Sequence, residues 1–486
     1  MLTLCFPTMV FATNGMNMEG YGPIATAMGG AAQGYDNGSA AIMANPATIG
    51  LMQRSHRLDV AVGNLRPSVK ATVTTNAGDL ETDSNGDSYF MPALGWVRQG
   101  KKFGFGFGVF GQGGMGTDYE GTSWMGNPAQ SATSPNLENR SELSVGRAIL
   151  PIIYKVNRAL TFGASVDFVW AGMDLKMALS EAQFQNLANP QAQTIGTASG
   201  TLRDSFGAIY EPFDTTQSVV GINNLHYAYF DFSNSSDYTG EASATGYAGK
   251  LGFTYRINSL ITIGGSYHSK TRLSDLESDN ATMTMAVNGD TGVLSTGTAS
   301  GTDGDVTIPV TGKIKVNDFQ WPANYALGVA IKPTKKWLLV ADIKYIAWED
   351  VMKNFSMTFT ADAVASNGSF GGKIMDMSLF QNWDDQTVYS AGAAYSVTKA
   401  LTLRGGVNHA SNPIPDKYLN ALFPAIVETH ITGGIGYLFR NGASVDFSVV
   451  KGLEGENANP GDGVNLAKVT SAHSQLNWQL MVSYLY

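Results

Sequence analysis

The chain has 486 residues, of which only 15% are charged and 10% aromatic, with 56 glycines and a mean hydropathy close to zero. A net charge of −9 without any basic run argues against nucleic acid as a partner. No uncharged apolar stretch reaches the roughly 18 residues that suggest a spanning helix, so low charge with abundant glycine and aromatics fits a β-barrel better than a helical membrane protein.

Residues 1–12 read as the end of a signal peptide, apolar and closing on Val10-Phe11-Ala12 with small residues at the −3 and −1 positions. A positively charged start is missing, so the expected start lies upstream or the chain is truncated, and the mature chain begins at Thr13. Cys5, the only cysteine, goes with that segment, leaving no disulfide and no cysteine-based metal site. Residues 13–52 are rich in glycine and alanine and lack strand periodicity. They are expected to form a compact hatch inside the lumen, with short helical pieces at 26–31 and 39–44; a disordered periplasmic extension is the other reading.

From residue 53 to residue 486 the pattern is that of a wall. Period-two segments lie near 56–64, 88–98, 103–110, 140–155, 160–170, 247–257, 261–267, 323–332, 337–348, 387–397, 401–409, 431–439, 445–449 and 476–486. In the last, Leu476, Trp478, Leu480, Val482, Tyr484 and Tyr486 share one parity, and Asn477, Gln479 and Ser483 take the other. Short links at 99–102, 156–159, 258–259, 333–336, 398–400 and 441–442 alternate with long ones near 111–139, 173–244, 269–322, 349–386, 410–428 and 451–474. The expectation is an all-β fold: a transmembrane antiparallel β-barrel of about fourteen strands with brief periplasmic turns, long external loops and an N-terminal hatch. Asp167, Lys250, Arg256, Asp342, Lys344, Arg404 and Asp446 fall on the polar parity and are expected to face the lumen, because a lipid-facing Arg or Lys near the midplane costs up to roughly 2–4 kcal/mol.

In the loop at 173–244, Leu175, Met177, Leu179, Phe184 and Leu187 stand at helical spacing. An exposed amphipathic helix there suits a substrate-catching surface, with Met177, Phe184 and Leu187 as contacts; packing against a neighbouring loop is the alternative. The six histidines show no metal spacing and no Gly-x-Ser-x-Gly elbow occurs, so neither an enzyme nor a cofactor is expected.

The hatch string Gly20-Tyr21-Gly22-Pro23…Ala27-Met28-Gly29-Gly30-Ala31…Asn45-Pro46-Ala47 resembles that of the FadL-type outer-membrane transporters of long-chain fatty acids and other hydrophobic compounds. Trp321-Pro322-Ala323-Asn324-Tyr325, Leu403-Arg404-Gly405-Gly406-Val407 and Thr432-Gly433-Gly434-Ile435-Gly436-Tyr437 are similar as well. The resemblance implies a fourteen-stranded barrel in the bacterial outer membrane that takes up fatty acids or, alternatively, alkyl or monoaromatic hydrocarbons; a diffusion porin or an outer-membrane enzyme are the remaining readings. It implies capture by external loops, an inner pocket beside the N-terminus at Thr13, Asn14, Gly15 and Met16, a hatch carrying Asn45, Pro46 and Ala47, and lateral release at a kinked strand. Here that strand is Gly104-Phe105-Gly106-Phe107-Gly108, whose alternate glycines either permit a bend or make room for the hatch. A fatty acid needs a cation, for which Lys176, Arg203, Arg256 and Arg404 are candidates. The expected partners are the hydrophobic substrate, outer-membrane lipids and, through Tyr486 as terminal aromatic signal, the barrel assembly machinery; the protein is expected to be a monomer.

Overall fold

The computed structural model describes residues 14–52, 55–128, 135–210, 221–236, 239–296, 300–463 and 465–486; the expected signal segment and Thr13 lie outside them. Fourteen antiparallel strands close into a ring in chain order: His56–Leu65, Tyr89–Gln99, Phe103–Tyr119, Asn139–Lys155, Leu160–Leu179, Ala242–Arg256, Ile261–His268, Asn324–Ile331, Trp337–Ile346, Gln386–Ser396, Leu401–Ala410, Thr429–Leu438, Ala443–Asn459 and Val469–Leu485. Wall strand one pairs with wall strand fourteen from Arg57↔Leu485 to Asn64↔Trp478, which closes the ring. The His56 amide donates to the Tyr486 carbonyl at 2.9 Å, and their rings stack at 4.8 Å. Closure leaves the apolar terminal strand without a free edge.

The alternating pattern sorts the two faces as lipid and lumen require. Phe162, Val166 and Phe168 point outward and are exposed, while Asp167 between them is fully buried. Inside, Asp167 Oδ2 takes Arg147 Nη1 at 2.8 Å and also Lys250 Nζ. Arg404 Nη1 meets Asp446 Oδ1 at 2.8 Å, and Arg57 Nε meets Asp59 Oδ1 at 2.8 Å. Removing one member of such a buried pair costs about 3–5 kcal/mol, because the other charge stays buried without a partner. These pairs fill the lumen beside the hatch. Arg256 departs from the expected group: it is exposed at the periplasmic end of its strand.

Residues 14–52 fold inside the ring as three short helical turns, Gly22–Thr26, Ala41–Ala44 and Pro46–Leu51. The first ends earlier than the expected 26–31 piece, because Gly29 and Gly30 turn to positive φ, +70° and +80°. Pro23 sits at its start, where a missing N–H costs nothing. Asn45 caps the last turn, accepting from the Ala47 amide at 3.1 Å, and its Nδ2 donates to the carbonyls of Gln33 and Phe253, each at 3.0 Å. The tripeptide Asn45-Pro46-Ala47 therefore fastens the hatch to wall strand six.

Above the membrane the strands outrun the expected boundaries. Wall strand three reaches Tyr119, wall strand five Leu179 and wall strand thirteen Asn459. The link after wall strand one carries a hairpin, Pro67–Thr75 with Gly78–Asp83, which pairs with the upper part of wall strand fourteen. The loop near 269–322 is largely another hairpin, Leu276–Asp290 with Asp303–Asn317. The physical reason is shared. Outside the bilayer neither strand face meets lipid, so the greasy-polar alternation fades while the backbone ladder continues.

Candidate functional site

A cluster of three tryptophans closes over the first described residues of the hatch. Trp321 follows the external hairpin, Trp348 lies two residues beyond wall strand nine and Trp383 precedes wall strand ten. Trp321 and Trp348 meet edge to face at 5.7 Å and Trp348 and Trp383 at 5.1 Å, each at most 1% exposed. Trp321 Nε1 donates to Asn17 Oδ1 at 2.9 Å, and Trp348 Nε1 donates to Gln386 Oε1 at 3.3 Å. With those two N–H groups engaged, the Trp321 and Trp348 rings present apolar faces. Met16, Met352, Ile414, Leu422 and Ile426 belong to the same apolar core.

The hatch enters this cluster through a tight turn. The Asn17 amide donates to the Asn14 carbonyl at 3.1 Å, and Gly15 adopts φ +60°. A Cβ on Gly15 would lie 2.7 Å from the Trp348 ring, so the position demands glycine on both grounds. Asn14, Gly15 and Met16 thus lie beneath the tryptophans. Asn45, Pro46 and Ala47 do not join them; they abut wall strands five and six, where a Cβ on Gly163 or Gly252 would strike their atoms.

Beside this turn the hydrogen-bond ladder of the wall is interrupted. Wall strands two and three pair only from Leu94↔Val109 to Gln99↔Gly104. Above that, Tyr89–Ala93 pairs with wall strand one alone, and Phe110–Tyr119 pairs with wall strand four alone. Wall strand three bulges at Gln112, where Gly111↔Gly146 is followed by Gly113↔Val145. The displaced segment leans on the hatch. Gly113 bridges Asn17, the Gly114 amide donates to the Met16 carbonyl at 3.1 Å, and Tyr21 OH donates to the Gln112 carbonyl at 2.8 Å. A narrow cavity of about 40 Å³ runs along the opening, lined by Met18, Tyr21, Met91, Pro92, Phe110 and Gly111 among others.

The opening is displaced from its expected place. Gly104, Phe105, Gly106, Phe107 and Gly108 lie opposite wall strand two in continuous register. Their alternation serves packing: a Cβ on Gly108 would meet Phe110 and Ile42 of the hatch, and one on Gly106 would strike wall strand two. The sequence signal overlooked was Pro92. A proline cannot donate to a ladder, so its place in a strand marks an edge.

The external helix also differs from expectation. Leu175, Met177 and Leu179 belong to wall strand five, and the helix is Glu181–Ala188, begun by a Ser180/Gln183 capping box. Met177, Phe184 and Leu187 are buried, Phe184 against Phe206 at 5.3 Å, so they hold the external cap together and present no exposed catching face. The helical spacing arose by chance, because strand residues Leu175 and Met177 ran into helix residues Phe184 and Leu187.

Of the cations considered for a carboxylate, Lys176 is held by Glu138 at 2.8 Å, Arg203 by Asp204 at 3.1 Å and Arg404 by Asp446. Arg140 lies between Asp118 at 3.2 Å and Glu142 at 2.7 Å. Outside the membrane, burial pushes the Glu428 carboxyl up to about 7, while it accepts the Asn412 amide next to the segment that carries Ile414. The tryptophan cluster is therefore apolar, and Lys176, Arg203 and Arg404 are each already held by a carboxylate. Tyr486 is exposed at the periplasmic end of the closing seam.

A family model described as outer membrane protein transport protein (OMPP1/FadL/TodX) matches residues 7–470. The solved structure of the toluene transporter TodX of Pseudomonas putida superposes with a TM-score of 0.77 at 29% identity, covering 96% of this chain and 99% of that one. The toluene transporter TbuX of Ralstonia pickettii gives a TM-score of 0.70 at 28% identity, with coverage of 96% and 99%. A FadL homologue of Pseudomonas aeruginosa shares the fold, with a TM-score of 0.68 at 15% identity over 97% of this chain and 99% of that one. An uncharacterized Chlorobium limicola protein encoded in the 5′ region of the phosphoenolpyruvate carboxykinase gene is 40% identical over 87 residues, which span 37% of its length.

Proposed function

The chain belongs to the OMPP1/FadL/TodX family of outer-membrane transport proteins, and from that membership we propose a route for its hydrophobic cargo. The protein is an outer-membrane β-barrel for uptake of hydrophobic compounds. Cargo comes through the external cap, rests in the Trp321-Trp348-Trp383 chamber above Asn14–Asn17, and leaves sideways between wall strands two and three. No chemical step is needed, and we infer that the chain is not an enzyme.

The observation that carries this reading is the juxtaposition of the tryptophan cluster, the hatch turn and the unpaired wall segment, linked by Asn17, which bonds Trp321 and bridges Gly113. An apolar solute gains roughly 0.8 kcal/mol per buried methylene, which draws it from water into the chamber. Lateral release spares it a return to water. Fatty acids and hydrocarbons both fit such a path; the pairing of Lys176, Arg203 and Arg404 with carboxylates favours the uncharged class, alkyl or monoaromatic. The protein acts as a monomer assembled by the barrel machinery.

Three buried tryptophans make the chamber its own reporter. Titrating the purified barrel with toluene, and separately with palmitate, should quench tryptophan fluorescence saturably. Trp348→Ala should weaken toluene binding about ten-fold, equivalent to about 1.4 kcal/mol of lost contact. A wild-type protein whose fluorescence responds to neither compound would remove the chamber from the route.

A further inference from the structure

The periplasmic end of the barrel carries a charge pattern unrelated to cargo. Six turns join the wall strands there, at 100–102, 156–159, 257–260, 332–336, 397–400 and 439–442. None contains Asp or Glu, and five contain Lys or Arg, although the chain as a whole is net −9. Lys101, Lys102, Arg158, Lys335, Lys336, Lys399 and Arg440 are all exposed. Among the described residues none of them forms an ion pair. Exposed lysines at the opposite end are matched: Lys313 binds Asp279 at 2.6 Å and Lys315 binds Asp275 at 2.6 Å.

The depth of these cations is fixed by their neighbours. Lys102 precedes Phe103, Lys336 precedes Trp337, and Arg440 follows Phe439, each aromatic exposed on the outer wall. Lys336 Nζ lies 5.8 Å from the Tyr395 ring centre. Aromatic rings on a barrel wall form a girdle at the membrane–water interface, so the adjoining cations stand at headgroup level. Unmatched Lys and Arg at that depth attract anionic lipid and lose the attraction with salt.

We propose that this rim is a binding surface for anionic phospholipid headgroups of the inner leaflet, with the turn lysines and arginines holding the phosphate. The rim selects lipid around the barrel independently of what passes through it. A second, acidic protein in the periplasm would suit the charge but not the aromatic girdle at the same depth, which places the cations against lipid.

The test uses the full chain in a non-ionic detergent, exposed to phosphatidylglycerol or to phosphatidylcholine of the same chain length, with retained lipid counted by native mass spectrometry. Phosphatidylglycerol should be retained in preference, and raising salt should release it. The rim variant Lys101→Gln, Lys102→Gln, Lys335→Gln, Lys336→Gln should weaken retention at least about ten-fold. The external variant Lys313→Gln, Lys315→Gln should retain lipid as the wild type does. Equal retention of the two lipids, retention unaffected by salt, or a folded rim variant that still selects phosphatidylglycerol would each overturn the proposal. So would rim-dependent capture of an acidic periplasmic protein without lipid selectivity. The salt series on wild type decides the matter even if the rim variant fails to fold.

Discussion

Deleting Gln112 should reduce hydrocarbon uptake to background while leaving a folded barrel. Gln112 is the extra residue of the bulge: Gly111 and Gly113 face the consecutive residues Gly146 and Val145 of wall strand four. Removing it restores a continuous register without exchanging lumen and lipid faces above the deletion. Wall strand three then has no cause to lean inward, and Phe110–Tyr119 can approach Tyr89–Ala93. The same deletion removes the carbonyl that accepts from Tyr21 and the side chain that reaches Asn17. Folding is checked by the heat-dependent gel shift of intact barrels, and uptake by labelled toluene in whole cells. Uptake that persists at wild-type rate would place the release point elsewhere.

The second large effect concerns the hatch. Gly264 of wall strand seven faces the lumen, and a Cβ there would collide with the Gln33 carbonyl. Its neighbour Gly328 lies under the same stretch, next to Asp342, whose Oδ2 accepts from the amides of Ala32 at 2.6 Å and Gln33 at 3.1 Å. Further along the ring, on wall strands ten and eleven, Met28 and Gly29 rest on Gly392 and Gly406. At these glycines the hatch is thus seated directly on wall backbone. Gly264→Val should cost about 1–3 kcal/mol of seating by overpacking. A hatch displaced at that seat should lift, and single-channel conductance in planar bilayers should rise several-fold over the plugged wild type. Unchanged conductance would show that the wall yields and the hatch does not.

Much of the wall was legible because lipid imposes a strict rule. Every expected strand, from residues 56–64 to 476–486, has a counterpart in the ring, and the alternation of short and long links follows the chain's passage between the two sides. The hatch was legible by contrast, as a stretch with small residues and no period. Legibility ends where lipid ends. The hairpins at Pro67–Thr75 and Leu276–Asp290 have one face on protein and another on water or protein, so no simple parity marks them.

The site was legible in parts. Asn14, Gly15 and Met16 lie at the tryptophan cluster, and Trp321 stood within the stretch that resembles the family. Trp383 was invisible, since only the three-dimensional return of the chain after Ile374–Phe380 brings it to Trp348. The unpaired stretch begins just beyond Gly108, after Leu94↔Val109 and next to Pro92. Alternate glycines report close approach of any kind; a proline within a strand reports a missing ladder bond specifically.

Lateral release requires cargo to leave sideways between wall strands two and three. A photoactivatable, diazirine-bearing alkylbenzene, irradiated while the wild-type barrel is transporting it in a bilayer, tests this most directly. The predicted adducts, mapped by peptide mass spectrometry, fall on the tryptophan chamber and on Met91, Pro92, Phe110 and Gly111 along the opening. Adducts on the periplasmic face of the hatch and the rim turns, with none on those four residues, would contradict lateral release.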